Sequence, residues 1–121
     1  MISAIVVEDN RQMSESLCQM LSLVDVEARP AFTPRAAWAL INEKLPQVIF
    51  LDINLPNVDG FEVLSYLRRE PRSAGIPVVI VTAEDHPDTY RRAKEGKAVA
   101  VIIKPPTFEA LEDALKKAGL M

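Results

Sequence analysis

Residues 47–60 carry the sequence QVIFLDINLPNVDG, and this stretch decides the fold. Gln47–Leu51 is a mostly apolar, β-branched run that is typical of a buried strand, and Asp52 follows where the run ends. Pro56 and the Asp59-Gly60 pair interrupt regular structure, so we expect a loop over Asn54–Asp59 and then a helix. An acidic side chain therefore lies at the carboxyl end of a buried strand.

Three other apolar runs end in the same way, with a polar residue suited to phosphate chemistry. A weaker strand is predicted at Val26–Ala31, and helical patterns separate all five strands. Such alternation predicts an α/β fold, a three-layer α/β/α sandwich with a parallel sheet. The polar strand ends then meet at one edge, where open α/β sheets bind ligands. The other three runs are Ile2–Val7 before Glu8 and Asp9, Val78–Val81 before Thr82, and Val99–Ile103 before Lys104.

Helix faces and helix starts follow from the spacing of apolar and capping residues. Thr33-Pro34 and Thr107 are typical helix starts, since each offers a hydroxyl cap. A fourth helix is predicted from near Pro87 to Gly96. Apolar stripes with helical spacing are predicted to be buried on the first and last helices. They comprise Met13, Leu17, Met20 and Leu21 on the first, and Phe108, Leu111, Leu115 and Ala118 on the last.

Composition narrows the class of protein. The 121 residues fit one domain over residues 1–121, and 49% hydrophobic and 26% charged residues are typical of soluble globular chains. A net charge of −3 provides no attraction to nucleic acid. No apolar run is long enough to cross a membrane, no export signal is evident, and the single Cys18 has no disulfide partner. We expect a cytoplasmic protein that binds neither nucleic acid nor membranes directly.

The acidic residues at the sheet edge predict a metal site. Glu8, Asp9 and Asp52 would raise one another's pKa if they shared one cleft without a cation. Mg²⁺ is the expected cofactor, because it prefers oxygen ligands and takes one or two carboxylates beside water and phosphate. Asp9 and Asp52 are predicted to bind it directly and Glu8 through a water. The backbone carbonyl of Asn54 is the best candidate for a further ligand.

The remaining polar residues predict phosphoryl transfer to Asp52. A carboxylate can attack phosphorus and form an aspartyl phosphate. Such transfer is catalysed mainly by positioning and by neutralising the phosphoryl oxygens. Lys104 and Thr82 are the predicted groups for that task, so the catalytic set is Asp52, Thr82 and Lys104.

These residues together resemble the receiver domain of bacterial two-component response regulators, the CheY-like superfamily. The resemblance implies a flavodoxin-like fold with main strand order 2-1-3-4-5 and a cis bond before Pro105. It implies that Asp52 is phosphorylated by a sensor histidine kinase or a histidine phosphotransfer protein, with Mg²⁺ in the acidic pocket. The domain would then change its binding to an unknown output partner, and a homodimer is compatible with it. The matching segments are Glu8-Asp9, Asp52–Gly60, Thr82-Ala83-Glu84 and Lys104-Pro105.

The readout of the signal departs from the family pattern. Thr82, Ala83, Val101 and Pro105 occupy its switch positions, but the family usually has an aromatic residue or histidine where this chain has Val101. A valine cannot exchange an inward ring for an outward one. The family also tends to have glycine one place after Gly96, so Lys97 is expected in a turn that suits glycine.

Three other functions use related folds or chemistry. A phosphatase with an aspartyl-phosphate intermediate resembles Asp-x-Asp, whereas the second position here is Asn54. A nucleotide or flavin module lacks its glycine-rich turn, because the segment 8–13 contains no glycine. A receiver-like interaction domain that phosphorylation does not regulate gains weight from Val101. We expect no enzymatic turnover beyond phosphoryl acceptance and slow self-dephosphorylation. No DNA-binding segment follows the last helix, so a single-domain receiver and a piece of a longer regulator are both open.

Overall fold

Seven strands and five helices make up the computed structural model, which describes residues 1–121. The strands are β1 (Ile2–Val7), β2 (Val26–Ala31), β3 (Val48–Asp52), β4 (Asn54–Leu55), β5 (Val58–Asp59), β6 (Val78–Thr82) and β7 (Ala100–Ile103). The helices are α1 (Arg11–Leu23), α2 (Pro34–Glu43), α3 (Gly60–Arg69), α4 (Pro87–Glu95) and α5 (Phe108–Lys117).

The main sheet has five parallel strands in the order β2-β1-β3-β6-β7. The strands β4 and β5 pair only with each other and are not part of this sheet. When the five main strands are counted alone, β6 and β7 are the fourth and fifth, so the predicted order 2-1-3-4-5 is confirmed. The central strands β3 and β6 are buried along their whole length, as expected for a sheet covered on both faces. The flavodoxin-like α/β/α sandwich is therefore confirmed.

Alternate residues of each strand enter two separate cores. On β3, Ile49 and Leu51 pack with residues of α2, α3 and α4. Val48 and Phe50 face the opposite way and pack with residues of α1 and α5. Successive strand residues point to opposite faces of the sheet. The side chains of β3 therefore pack against the helices on both faces.

Side-chain caps start every helix. The oxygens of Asn10, Thr33, Asp59 and Thr107 accept hydrogen bonds from main-chain N–H groups of the first turns of α1, α2, α3 and α5, and His86 does so with its Nδ1 at α4. Each cap satisfies a donor that has no partner inside the helix. The predicted caps Thr33 and Thr107 are confirmed.

Three local predictions were wrong. The segment 54–59 is not a plain loop, because β4 and β5 form a small hairpin around Asn57, whose φ is +60°. Phe108 is 43% exposed and Met13 is 38% exposed, so neither belongs to a buried stripe. Ser14 is buried beside Leu17 instead of Met13, which rotates the buried face of α1 by one position.

Two expected backbone features are present. The Lys104-Pro105 bond is cis, and Lys97 has a φ of +59°, in the left-handed region that favours glycine.

At one edge of the sheet, β2 contains Pro30, and Glu27 projects from the same strand into solvent. No helix has the length and apolar character needed to span a membrane.

Candidate functional site

Four parallel strands deliver the polar side chains to the carboxyl edge of the sheet. Glu8 directly follows β1, Asp52 and Thr82 are the last residues of β3 and β6, and Lys104 follows β7. Glu8, Asp52 and Thr82 are buried, Lys104 is half-buried, and Asp9 is exposed. The predicted convergence of strand ends is therefore observed.

The three acidic residues form one cluster. Single carboxylate oxygens of Glu8, Asp9 and Asp52 all lie within 4.8 Å of one another. The Lys104 ammonium lies in the same cluster, with Nζ 2.7 Å from Glu8 Oε1 and 3.4 Å from Asp52 Oδ2. Lys104 therefore bridges two of the three carboxylates.

Burial and neighbouring charge shift the pKa of Glu8. Its removal from water raises the pKa of its carboxyl group above the ordinary value, and the neighbouring Asp52 carboxylate acts in the same direction. The hydrogen bonds from Lys104 and from the N–H of Asn10 oppose this effect without cancelling it. The cluster is thus an environment in which negative charge is under-compensated and a cation is favoured.

A hydrogen-bond chain ties Asp52 to Thr82 through Asn54. The N–H of Asn54 donates to Asp52 Oδ1 at 2.9 Å, and its side-chain Nδ2 donates to Thr82 Oγ1 at 3.2 Å. Thr82 Oγ1 also accepts from the N–H of Glu84 at 3.1 Å. The main-chain carbonyl of Asn54 was predicted as a metal ligand, but the bond from its side chain to Thr82 was not predicted, because it depends on a side-chain conformation that no motif specifies.

The residues at the predicted switch positions lie at different places. Ala83 is exposed beside Thr82, and Pro105 is exposed after the cis bond. Val101 pairs with Ile80 in the sheet and is partly buried against the core that α3 and α4 cover. Val101 packs against the core, and it has no aromatic ring that could rotate between two positions.

Contacts from α4 reach the segment that follows Asp52. Arg92 Nη2 lies 2.8 Å from Asp59 Oδ2, and its guanidinium lies 4.4 Å above the centre of the Phe61 ring. Asp59 also caps α3 through the N–H of Phe61. This contact was not predicted, because it depends on how α4 packs against the segment after Asp52, which the sequence pattern does not specify.

Comparison with known proteins decides the family. A family model described as the response regulator receiver domain matches residues 4–116. The chain belongs to this family.

Relatives of this receiver domain include proteins of different lengths. The polar-differentiation response regulator DivK of Brucella ovis is 29% identical over 114 residues, which cover 94% of this chain and 93% of DivK. The phosphate regulon transcriptional regulatory protein PhoB of Pseudomonas aeruginosa is 29% identical over 112 residues, 93% of this chain but 49% of PhoB. The chain thus spans about half the length of several curated relatives that it matches.

Solved structures share the fold of this receiver domain. The chemotaxis protein CheY4 of Vibrio cholerae superimposes with a TM-score of 0.89 at 24% identity, over 98% of both chains. At that identity the likeness bears on the fold alone.

Proposed function

We propose that this receiver domain accepts a phosphoryl group on Asp52 from the phosphohistidine of a sensor histidine kinase or a histidine phosphotransfer protein, and that phosphorylation alters its affinity for an output partner. The observation that carries the proposal is the Lys104 ammonium, 3.4 Å from Asp52 Oδ2 inside a cluster of three carboxylates. Family membership supports the same reaction.

Asp52 is the proposed nucleophile. A P–O bond to its carboxylate forms while the P–N bond of the phosphohistidine breaks, and the electron pair of that bond returns to the imidazole. The N–H of Asn54 holds one Asp52 oxygen and so limits rotation of the carboxylate before transfer.

Lys104 and Thr82 are proposed to receive the phosphoryl oxygens. The ammonium of Lys104 would neutralise one of them. Thr82 Oγ1 already accepts two hydrogen bonds, so both acceptor positions of its hydroxyl are filled and its hydrogen remains to be donated to another.

The donor set fits Mg²⁺, because every candidate ligand atom is a carboxylate or carbonyl oxygen. Asp9 and Asp52 would bind the ion directly, with the carbonyl of Asn54 as a further ligand. Glu8 would act through a water, since its Oε1 is already bonded to Lys104 at 2.7 Å. When bound, the ion would supply positive charge to the transferred phosphoryl oxygens.

Labelling with acetyl phosphate tests the proposal. The wild-type chain with MgCl₂ should gain the mass of one phosphoryl group, and EDTA should prevent the gain. Asp52→Ala should remain unlabelled, whereas the control Asp59→Asn, which changes an exposed carboxylate of the same segment, should label like the wild type. Labelling of Asp52→Ala at the wild-type rate would show that the acceptor is another residue.

We further propose that the domain is not an enzyme in the sense of turning over external substrates. It would accept one phosphoryl group and lose it slowly to water. Sustained hydrolysis of an aryl phosphate by the wild type, absent in Asp52→Ala, would contradict this.

Val101 favours a second candidate function, that of an interaction domain which phosphorylation does not regulate. Its aliphatic side chain is packed against the core and offers no two-position switch. The two functions differ in one measurement, the affinity of an output partner with and without beryllofluoride, a phosphoryl mimic. Equal affinities would favour the second function, because a ligand that binds both states equally shifts neither.

A further inference from the structure

A large groove lies away from the acidic cluster. It is a groove of about 720 Å³ between α3 and α4, which we call the α3–α4 groove. Pro77 and Val99, both partly exposed, give it an apolar floor, and Arg69 and Lys97 are exposed at its rim. None of the residues proposed for phosphoryl transfer lines it.

The groove carries positive charge that the protein does not neutralise. Arg68, Arg69 and Lys97 have no carboxylate within 4.0 Å, whereas the other two charged lining residues are compensated. Arg92 is paired with Asp59, and Glu95 is paired with Arg91. Three uncompensated cations on a chain of net charge −3 make this groove complementary to an anionic ligand.

Arg68 shapes the groove and indicates which kind of anion fits it. Its guanidinium donates to the main-chain oxygens of Ile76 at 2.8 Å, Gly96 at 3.1 Å, Lys97 at 3.1 Å and Ala74 at 3.3 Å. The planar fork that would bind a phosphate bidentately is therefore occupied by carbonyls. What remains is a half-buried charge, whose burial lowers the pKa of Arg68, beside two separate rim cations.

Lys97 supplies an independent observation. It adopts a φ of +59°, which is strained for any residue with a Cβ, yet the position holds lysine rather than glycine. The turn that ends α4, closed by the bond from the N–H of Lys97 to the carbonyl of Lys94 at 3.0 Å, fixes the direction in which the Lys97 side chain leaves the backbone. The ammonium of Lys97 stands at the rim, beside the carbonyl clamp made by Arg68.

We propose that the α3–α4 groove docks an acidic peptide segment of a partner protein, with an apolar side chain on the floor and carboxylates against Arg69 and Lys97. Separate rim cations suit separate carboxylates, and the apolar floor suits a hydrophobic anchor flanked by charge. A compact phosphate would need converging donors that Arg68 no longer offers. This docking is independent of Asp52 and does not require phosphorylation.

Selection from a displayed library of random peptides tests the proposal with the whole chain. Peptides are selected on the wild type and counter-selected on the double variant Arg69→Glu/Lys97→Glu. The expected result is enrichment of sequences with several Asp or Glu residues around one apolar or aromatic residue. The proposal would be overturned if the double variant bound the same peptides as the wild type, or if the selected peptides were not enriched in acidic residues.

The best-enriched peptide is then measured by fluorescence anisotropy. Its dissociation constant should rise at least tenfold in Arg69→Glu/Lys97→Glu, about threefold in Lys97→Gly, and several-fold between 50 and 300 mM NaCl. The control is Lys94→Glu, which makes the same charge change as either single exchange of the double variant but at an exposed position of α4 outside the groove, and it should change affinity less than twofold. Asp52→Ala should bind like the wild type, so failure of phosphoryl transfer and failure of docking are distinguishable.

Pyrophosphate separates the two anion chemistries. It should displace the peptide no better than NaCl of equal ionic strength. Saturable displacement by pyrophosphate that is lost in the double variant would show that the groove is a phosphate site and not a peptide site. Equal peptide binding by the wild type and the double variant would show that the peptide does not bind in the groove.

Discussion

Replacing Gly60 with alanine should damage both the fold and the acceptor site. Gly60 starts α3, is buried, and donates its N–H to the carbonyl of Ile53 at 3.1 Å. An added Cβ would overlap Ile53 Cα and lie 2.9 Å from its carbonyl carbon. Since carbon atoms pack at about 3.5–4.0 Å, the backbone of Ile53 would have to move by about 1 Å. Ile53 is the residue between Asp52 and Asn54, so this shift reaches the acceptor.

The magnitudes follow from that displacement. Overpacking against backbone, which cannot rotate away, should lower the free energy of unfolding by about 3 kcal/mol. A shift of about 1 Å at a reacting group can cost about 100-fold in rate, so phosphorylation of Asp52 by acetyl phosphate should slow by roughly 10- to 100-fold. Urea denaturation gives the first quantity and time-resolved intact-mass measurement gives the second.

The chain offers a matched control in Gly75. Nothing lies within 4 Å of a Cβ built there, and its φ is not positive. Gly75→Ala should therefore leave labelling unchanged and raise the free energy of unfolding by about 0.4–1 kcal/mol, because it restricts the unfolded chain. Wild-type stability and labelling in Gly60→Ala would refute the argument that Gly60 is required by the close approach to Ile53.

Three further predictions concern charge and backbone strain. Burial raises the pKa of Glu8, so without metal the folded state binds its proton more tightly than the unfolded state, and stability falls as pH rises through the raised pKa. A fixed Mg²⁺ concentration, ten times the dissociation constant at pH 8, should add about 1.4 kcal/mol at pH 8 and less at pH 5, measured as the shift in urea midpoint; an equal shift at both pH values would count against Glu8 as a metal-linked group. Arg92→Ala should cost about 1 kcal/mol at pH 7, through the exposed ion pair and the ring contact. Burial raises the pKa of Asp59, but its hydrogen bonds with Arg92 and the N–H of Phe61 lower the pKa by a larger amount, so it lies below the ordinary value. The cost of Arg92→Ala should therefore shrink as pH falls through this depressed pKa, and a cost that does not depend on pH would contradict the prediction. Lys97→Gly should raise the free energy of unfolding by about 1 kcal/mol by removing strain at φ +59°, whereas Lys97→Ala should not, and thermal or urea unfolding of both variants checks this.

Much of the architecture could be predicted because burial and chain direction leave clear patterns. The β-branched run ending at Asp52 is typical of a strand covered on both faces, and the alternation with helices indicated a parallel sheet. The hairpin of β4 and β5 could not be predicted, since two-residue strands have no periodicity. Phe108 was predicted to be buried because it has the same spacing as the buried residues of α5. It is exposed because it is the first residue of the helix and lies at the end of the helix layer.

The composition of the site was predictable, but its connections were not. Strand ends in a parallel sheet share an edge, so Glu8, Asp52 and Lys104 had to lie at the same end of the sheet. The 2.7 Å contact of Lys104 with Glu8 and the bond from Asn54 to Thr82 depend on side-chain torsions, which sequence patterns do not encode. Arg68 illustrates the same limit: in sequence it is an ordinary helix cation, and only the fold brings four carbonyls to it.

Pro30 in β2 has a consequence for how copies of this chain can meet. An outermost strand normally offers a row of N–H and C=O groups to which a strand of another molecule can add. Proline removes one donor from that row, and the carboxylate of Glu27 beside it repels a like strand. Continuous intermolecular sheets, the usual route to fibrils, are therefore discouraged at this border, so a second strand could add only at the opposite edge, along β7.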